Sequence, residues 1–403
     1  MMVVVRTHSL VKVRDSVPCS IHPNMPVTVQ DGADKLHVLV TGGAGYIGSH
    51  TVFELLQSGY KVSVIDNLSN STEESLRRVS QLTSSKIHFY EGDLLDSAFL
   101  ESVFARQPIW AVIHFAALKS APESVHKPLD YYRVNVAGTI NLLTTMSRHG
   151  VHRLVFSSTA AVYGTPEMNT TLIPETHATS PANPYGRSKL MVENIIRDMC
   201  EAHKPLAGVI LRYFNPVGAH ESGMIGEDPK GGPGNLMPFV LQVMTGERSH
   251  LEITGVDWPT CDGSGVRDFI HVVDLARGHV EALRHANVLS CEGGAWDIIN
   301  MGTGSGTSVL QMVNAMEKST GLSIPVRSAP RRDGDVAEVV ADPARAHKVL
   351  GWKAIKNLED MCRDAWNWRL QNPQGYDTAQ SSSEDPGKRL IRRSSNKNKN
   401  LHA

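Results

Sequence analysis

Residues 41–48 read TGGAGYIG, set between the apolar run LHVLV and the helix-like segment SHTVFELLQSG. Gly42, Gly45 and Gly48 recur at intervals of three. Between a strand and a helix, that spacing suits a dinucleotide. Gly42 permits the tight turn, Gly45 lets backbone approach a pyrophosphate, and Gly48 lets helix and strand pack closely. A helix N-terminus behind them offers unpaired N–H groups and the positive end of its dipole to phosphates. A purely structural strand–helix turn uses the same glycines, so the decision rests on residues further along.

Asp66 is the first of these. It ends the next β-rich run, KVSVID, 18 residues beyond Gly48, where a carboxylate accepts the ribose hydroxyls of an adenosine. A 2′-phosphate there would meet like charge, and no arginine lies in Asn67–Asn70, so NAD is favoured over NADP. Asp93 in YEGDL reads either as a partner for the adenine or as an N-cap before LDSAFLESVF. HFAALK (114–119) closes a fourth apolar run with two small residues that let a cofactor pass over the backbone. Lys119 reaches its ribose or phosphates, or is simply a solvent-exposed lysine. His114, flanked by apolar residues, reads as a core histidine with its hydrogen bonds satisfied rather than as a catalyst.

Strand candidates continue along the chain: LHVLVTG, KVSVID, KIHFYEGD, AVIHFAA, RLVFSSTA, GVILRYFN and WDIINMG. Helical segments lie between the early ones, DYYRVNVAGTINLLTTMSRHG among them. Near-continuous apolar strands alternating with helices imply a parallel sheet covered on both faces. The expected fold is α/β, a doubly wound Rossmann-type parallel sheet whose ligand sits at the carboxyl ends of its strands. From about residue 215 the rhythm changes to Gly/Pro-rich loops, NPVGAHESGMIGEDPKGGPGNLMP, whose length marks a functional region. The expected division is an N-terminal extension over 1–35, a mainly cofactor-binding domain over 36–214, and a smaller substrate-binding lobe over 215–376 that returns some segments to the first. A basic, disordered tail follows over 377–403. There is no internal repeat.

The reactive residues come next. NPYGRSK places Tyr185 and Lys189 at i and i+4, on one helix face, with Asn183 as N-cap and Pro184 in the first turn. A phenol with its ordinary pKa near 10 is no base at neutral pH. A neighbouring ammonium and a positively charged nicotinamide both favour the phenolate. Thr159, 26 residues before Tyr185 in VFSSTAAVYG and backed by Ser157 and Ser158, offers a hydroxyl to the substrate oxygen as its proton leaves. Each element alone has a bland reading as a surface pair or a strand-end cap. A glycine-rich turn, a strand-end aspartate, a hydroxyl and YxxxK in this order do not.

Composition narrows the remaining classes. The 403 residues are 41% hydrophobic and 20% charged, with a formal net charge of −1, which speaks against nucleic acid or an anionic membrane as partner. No apolar run approaches the roughly 20 residues that span a bilayer. Cys19, Cys200, Cys261, Cys291 and Cys362 are scattered, with no CxxC pair, which points to a reducing, cytoplasmic setting. No metal is expected, since the 18 histidines show no paired ligand spacing. Arg6, Lys12 and Arg14, together with Asp15, leave a mitochondrial presequence as an alternative for the N-terminal extension, and Met25 an alternative start. The KRLIRR cluster (388–393) reads as a solvated end or a nuclear signal.

Taken together, TGGAGYIGSHT, IDNLSNS, EGDL, HFAALK, ESVHKPLDYY, FSSTAAVYG, NPYGRSKLMVE, LRYFNPVGAH, GEDP, NLMPF, DGSGVRDFIHVVDLA and RRDGDVAE resemble the UDP-glucose 4-epimerases, extended short-chain dehydrogenase/reductases. The similarity runs from about residue 36 to 376. The glycine and YxxxK signatures specify only the superfamily, and the C-terminal runs specify the epimerases. The resemblance implies an NAD that stays bound and a UDP-sugar substrate, with Tyr185 as the base that takes the O4 proton while hydride leaves C4. It makes Lys189 the residue that holds the nicotinamide ribose and lowers the tyrosine pKa, and Thr159 the hydroxyl partner. Gly42, Gly45, Tyr46, Ile47, Gly48, Asp66, Asn67, Asp93, Leu94, Phe115, Ala116, Ala117 and Lys119 would line the cofactor. Phe214, Asn215, Asn235, Leu236, Arg267, Arg332 and Asp335 would hold the nucleotide and diphosphate, with Lys119 and Thr159 also facing substrate. Two arginines suit a diphosphate through forked, charge-assisted hydrogen bonds. Val339 matches the position whose size governs acceptance of N-acetylated sugars, and a homodimer formed through helices including that of Tyr185 is implied.

Several positions depart from the family pattern: Thr159 for Ser, Arg187 for Lys, Gly234 for Asn, Thr254 for an aromatic residue near the uracil, and Ile299 for Tyr. A 4,6-dehydratase on the same fold generally carries an acidic pair directly after this threonine, where Ala160 and Ala161 stand. A non-catalytic NAD or UDP-sugar sensor is the other alternative, opposed by the intact Thr159, Tyr185 and Lys189.

Overall fold

A computed structural model describes residues 36–165, 172–230, 232, 234–332 and 335–377. The expectations for residues 1–35 and for the tail beyond 377 lie outside the described residues. Six strands are built in sequence: β1 (His37–Thr41), β2 (Lys61–Asp66), β3 (Ile87–Glu91), β4 (Ile109–His114), β5 (Arg153–Thr159) and β6 (Ala207–Tyr213). The chain then leaves for β7 (Asn215–Val217), β8 (Leu251–Thr254) and β9 (Val266–His271), and returns through β10 (Trp296–Met301) to the sheet edge. All seven apolar runs singled out in the sequence are the strands of this one sheet, in the order β10-β6-β5-β4-β1-β2-β3. Every neighbouring pair in it is parallel.

Because side chains alternate across a strand, each strand feeds two cores. On β1, Val38 and Val40 pack into the layer with Val52 and Leu55 of the helix Tyr46–Gln57 and Leu275, Val280 and Leu283 of the helix Val272–Cys291. Leu39 points the other way, with Leu100, Leu142 and Ile196 of three further helices. Both faces are covered, which is why the strands read as continuous apolar runs. After β3 the chain crosses to the other side of β1, so the strand order reverses between β1 and β4. The crevice that this reversal opens at the carboxyl ends of β1 and β4 is the ligand position of a doubly wound sheet. TGGAGYIG leaves from one strand and HFAALK from the other.

A second set of elements packs beyond β6: β7, β9, β11 (Gly306–Ser308) and β13 (Glu338–Val339) in one small sheet, and β8 with β12 (Val326–Ala329) in another. They share a core of Met237, Val240, Phe269, Met312, Met316 and Met361 with the helices Leu236–Met244, Val309–Thr320 and Leu358–Gln371.

One segment departs from expectation. The helix anticipated over DYYRVNVAGTINLLTTMSRHG opens in an α-helical turn, Pro128–Tyr131, and passes through a π-helical stretch, Tyr132–Ala137, before regular α-helix over Gly138–Arg148. Asn135 lies in that stretch, 2% exposed. Its Oδ1 accepts the Leu118 N–H at 2.8 Å, and its Nδ2 donates to the Leu118 carbonyl at 3.0 Å and the Ser188 hydroxyl at 2.9 Å. Such wide turns recur at functional sites. Here the turn accompanies a side chain that ties the loop after β4 to the helix carrying Tyr185.

Candidate active site

The glycine turn is shaped as its spacing implies. Gly42 has φ +70°, and a Cβ there would lie 2.6 Å from the Ala116 nitrogen, backbone against backbone across the β1–β4 crevice. A Cβ on Gly48 would lie 2.3 Å from the Gly42 carbonyl oxygen. Gly45 is the N-cap of the helix Tyr46–Gln57 and provides no side-chain cap, so that helix end is left to a ligand. Tyr46 and Ile47 open this helix. Asp66 closes β2, 7% exposed, its carboxylate accepting the Ala44 N–H at 3.0 Å, the Leu68 N–H at 3.0 Å and the Ser71 hydroxyl at 2.8 Å. These bonds aim the carboxylate at the glycine turn and leave it acceptor capacity for ribose hydroxyls.

Asp93 is not the N-cap of the next helix. Asp96 fills that position, accepting from Phe99 at 3.0 Å. Asp93 instead accepts the Leu95 N–H at 2.9 Å and the Asn67 amide at 2.9 Å, joining the loops after β2 and β3, with Leu94 buried beside it. Phe115 and Ala116 donate their N–H groups to the Thr41 carbonyl, which leads Ala117 and Lys119 out of the crevice. The Lys119 side chain is 55% exposed and lies 3.7 Å from Glu227 of the GEDP loop. His114 is a satisfied core histidine: its Nδ1 lies 2.6 Å from the Thr41 hydroxyl and its Nε2 2.8 Å from that of Thr139. Thr139 spends its own proton on the Asn135 carbonyl, so His114 donates from Nε2 and accepts at Nδ1. Burial pulls its pKa down to about 3.

The helix Pro184–Ala202 starts as its sequence dictates. Asn183 caps it by accepting the Gly186 N–H at 2.9 Å, and Pro184 occupies the first turn. Its buried face carries Gly186, Ser188, Lys189, Val192, Glu193, Ile196 and Cys200. Gly186 is required there, since a Cβ would lie 2.8 Å from the Ala161 carbonyl oxygen. That contact seats the helix on the end of β5, where the Thr159 hydroxyl lies near enough to Tyr185 to favour its phenolate. The Tyr131 ring meets the Tyr185 ring edge-on at 6.4 Å.

Burial pushes the Tyr185 phenol above its ordinary pKa, and the Thr159 hydrogen bond opposes it. The sequence led us to expect a lowered phenol. Within the protein chain alone desolvation wins, so the phenolate depends on positive charge arriving with a ligand. Lys189, 3% exposed, donates to the Ser157 carbonyl at 2.8 Å and lies 4.9 Å from the Phe156 ring centre. Burial draws its ammonium down to about 7, against the field of Glu193. Tyr213, which ends β6, donates to His279; that imidazole is oriented by the Leu275 carbonyl at 2.8 Å from its Nδ1.

The residues expected to face substrate fall into two groups. Phe214 is buried with Val162, Tyr163, Ile173 and Ala341, and Val339 and Ala160 pack against the same cluster. Asn215 opens β7 beside it. Arg267, on β9, pairs with Asp335 at 2.9 Å, and Arg332 reaches the other oxygen of the same carboxylate at 3.1 Å. Two guanidinium groups thus converge on one anion. Asn235 precedes the helix that Leu236 begins without capping it through its side chain, which donates to Glu227 at 2.7 Å. Of the departures, Thr254 ends β8, a Cβ on Gly234 would meet nothing within 4 Å, and Ile299 is 0% exposed in the sheet core rather than in the crevice.

Sequence reading passed over Asn135, Glu193, Tyr213 and Glu227. A signal was present for two of them. Asn135 interrupts an apolar helix face, and Glu193 sits at i+4 from Lys189 on a face that is otherwise buried. Glu227 and Tyr213 are identifiable only from tertiary contacts.

The family model described as GDP-mannose 4,6 dehydratase matches residues 39–365. The chain is 55% identical over 348 residues to a UDP-glucose 4-epimerase of Bos taurus, covering 85% of this chain and 98% of that one. Among solved structures it matches UDP-glucose-4-epimerase from Stenotrophomonas maltophila, with bound NAD and formylated UDP-arabinopyranose, at TM-score 0.81 and 45% identity, covering 84% of this chain and 99% of that one. It matches the Bifidobacterium longum enzyme, in complex with NAD+ and UDP, at TM-score 0.80 and 48% identity, with the same coverage of 84% and 99%. The chain belongs to the UDP-glucose 4-epimerases, within the extended short-chain dehydrogenase/reductase family.

Proposed function

We propose that the chain interconverts UDP-galactose and UDP-glucose by oxidation and re-reduction at C4, with NAD as resident cofactor and Thr159, Tyr185 and Lys189 as the reacting set. The observation that carries this is the convergence of those three residues at the end of β5, next to the crevice framed by the glycine turn and HFAALK. The crevice fits a dinucleotide, because side chains are sterically excluded at Gly42 and Gly48 while the helix end at Gly45 is uncapped. NAD, when bound, accepts hydride from C4 and returns it. Tyr185 takes the O4 proton from one C4 epimer and gives it back to the other. Thr159, beside that phenol, would hold O4 through a hydrogen bond from its hydroxyl. Lys189, anchored on Ser157, would add its charge to that of bound NAD in favour of the phenolate.

Inversion requires the 4-keto sugar to turn about its link to UDP while the nucleotide stays. Arg267 and Arg332 suit this, since a diphosphate can take the position between them that Asp335 now shares. Asn235, Leu236, Phe214 and Asn215 would complete the nucleotide's walls. The sugar end faces Val339 and Ala160, small side chains that leave space, so the N-acetylated pair of UDP-sugars is also accepted. We assign a homodimer to the face carrying Val125, Leu129, Ile140 and Met191, four exposed apolar residues on helices that pack on one another, among them the helix of Tyr185. A cytoplasmic setting agrees with the free thiols of Cys200, Cys261 and Cys362, whereas Cys291 is disulfide-bonded and not the free thiol that the sequence led us to expect. Among the described residues no helix is long and apolar enough to cross a membrane.

Incubation with UDP-galactose and no added acceptor tests the reaction. UDP-glucose accumulates, the denatured protein releases NAD, and Tyr185→Phe lowers kcat by roughly 10²-fold or more. Full activity in Tyr185→Phe overturns the assignment.

A further inference from the structure

The mechanism leaves unexplained a buried ion pair directly behind the reacting residues. Glu193 is 1% exposed and lies one helical turn beyond Lys189 on the same buried face. Its Oε1 accepts the Ser158 hydroxyl at 2.5 Å and the Arg212 Nε at 3.0 Å, and its Oε2 accepts the Arg212 Nη2 at 2.6 Å. Arg212, on β6, also donates to the Glu175 carbonyl at 3.3 Å and lies 4.8 Å from the Tyr163 ring centre. Such a pair is expensive to bury, and apolar side chains of equal volume commonly serve packing as well or better. Its place in the fold is therefore the informative feature. It joins the catalytic helix, the end of β5 and β6, one residue away on the strand from both Thr159 and the carbonyl that holds Lys189.

We propose that Glu193 is a positioning residue for proton transfer at O4, tying the end of β5 to the catalytic helix and setting a carboxylate one helical turn from Lys189. The inference rests on the roles given above to Tyr185 and Lys189. The groups that face Lys189 come from four elements. β5 contributes the Ser157 carbonyl and the Phe156 ring, and β4 contributes His114, neutral because burial holds its pKa at about 3. β6 contributes Arg212, which Glu193 neutralises, and Tyr213, a phenol that burial keeps protonated. The helix itself contributes Tyr185 and Glu193. Among the described residues Glu193 is the carboxylate whose field opposes the loss of the Lys189 proton. Ser158 adds a mechanical link: the hydroxyl beside Thr159 is fastened to the helix that carries Tyr185, so strand end and helix move together.

The test compares Glu193→Gln with the double variant Glu193→Gln/Arg212→Met, both as purified holoenzymes. The double variant removes the buried charges as a pair and so leaves neither one unpaired. Two readouts are taken: the ¹³Cε titration of Lys189 by NMR without substrate, and the alkaline limb of the pH profile of kcat with UDP-galactose. In Glu193→Gln both midpoints fall by about one pH unit, as expected for a carboxylate one helical turn away in a partly desolvated site. In the double variant they fall by roughly half as much, since the opposing charge of Arg212 is gone as well. KM is unchanged. If Glu193→Gln does not fold, the double variant alone decides. A Lys189 midpoint unmoved in the variant that folds overturns the proposal, whatever its effect on melting temperature. The NMR midpoint is read without turnover, so failure of the epimerase assignment leaves this result interpretable.

Discussion

Gly45→Ala and Gly48→Ala, three residues apart in one motif, have opposite consequences if the turn works as its geometry implies. At Gly48 an added Cβ would lie 2.3 Å from the Gly42 carbonyl oxygen and 2.8 Å from the Gly43 Cα. Both are backbone atoms of the turn, and carbon–oxygen contact begins near 3.2–3.4 Å, an overlap of about 1 Å. The helix Tyr46–Gln57 must back away from β1, at a cost of about 2–3 kcal/mol for forced repacking. That lowers the melting temperature by roughly 5 °C even without cofactor. At Gly45 the nearest atom to a new Cβ is the same oxygen at 3.3 Å, and φ is −73°, open to any residue. Gly45→Ala therefore keeps cofactor-free stability within about 1 kcal/mol of wild type. Its methyl instead occupies the space through which a pyrophosphate reaches the helix end, weakening NAD by tenfold or more, about 1.4 kcal/mol. The assay is thermal denaturation of stripped and NAD-loaded protein, with the 260/280 nm absorbance ratio reporting cofactor that survives purification. Equal losses of stability in the two variants, or full NAD occupancy in Gly45→Ala, would refute the division of labour.

Three further outcomes follow from named contacts. Val339→Tyr fills the space beside Phe214 and Ala160, and abolishes turnover of UDP-N-acetylgalactosamine while leaving UDP-galactose within about threefold, read by product analysis of both substrates; retained N-acetyl activity overturns the assignment of Val339. Burial depresses His37 and His279 to about 4 and His50 and His114 to about 3. The unfolded chain takes up these protons near pH 6.5 and the native state does not, so stability is complete above 6.5 and falls with acidification toward those lower values. Each histidine withdraws up to about 2 kcal/mol by pH 5, and urea titrations at pH 7 and pH 5 with equal midpoints contradict this. Leu129→Asp places a charge at a residue 80% exposed on the face assigned to dimerisation, and shifts the protein from dimer to monomer in analytical ultracentrifugation; a wild-type chain already monomeric at micromolar concentration removes the assignment.

The sheet was legible because its strands are buried on both faces. Runs such as HVLVT and GVILRYF admit few other readings, and the order of strands follows from the reversal that a dinucleotide crevice requires. The Tyr185 helix was legible for a local reason, since Asn183 and Pro184 fix its start within the sequence itself. What sequence concealed depends on partners distant along the chain. The N-cap reading of Asp93 was excluded by Asp96, three residues on, and its bond to Asn67 crosses the sheet edge. The wide helical turn at Tyr132–Ala137 accompanies the bonds of Asn135 to Leu118 and Ser188, and no local propensity announces it. The rise of the Tyr185 pKa within the protein chain alone was hidden for a similar reason: i,i+4 spacing reports the neighbouring ammonium but not the depth of burial.

The loop from Gly218 to Leu236 shows why the glycine motif by itself does not describe the cofactor site. The Gly218 carbonyl accepts the Tyr46 hydroxyl at 2.7 Å, directly at the helix that begins beyond Gly45. Lys230 donates to the Leu68 carbonyl at 3.1 Å, in the loop after β2, and the Met224 carbonyl accepts from Arg78 at 3.1 Å. Glu227 lies 3.7 Å from Lys119 and accepts from Asn235 at 2.7 Å. Each contact is weak where it is exposed, a fraction of a kcal/mol for the lysine pair. They act on one continuous segment, however, so opening the crevice means breaking them together. A dehydrogenase that exchanges its nicotinamide every turnover gains nothing from such a strap, whereas an enzyme that returns the hydride it removes has no need to release the cofactor. Glu227 carries the further consequence. One carboxylate meets both Lys119 and Asn235, so a ligand that recruits either of them also alters the partner of the other.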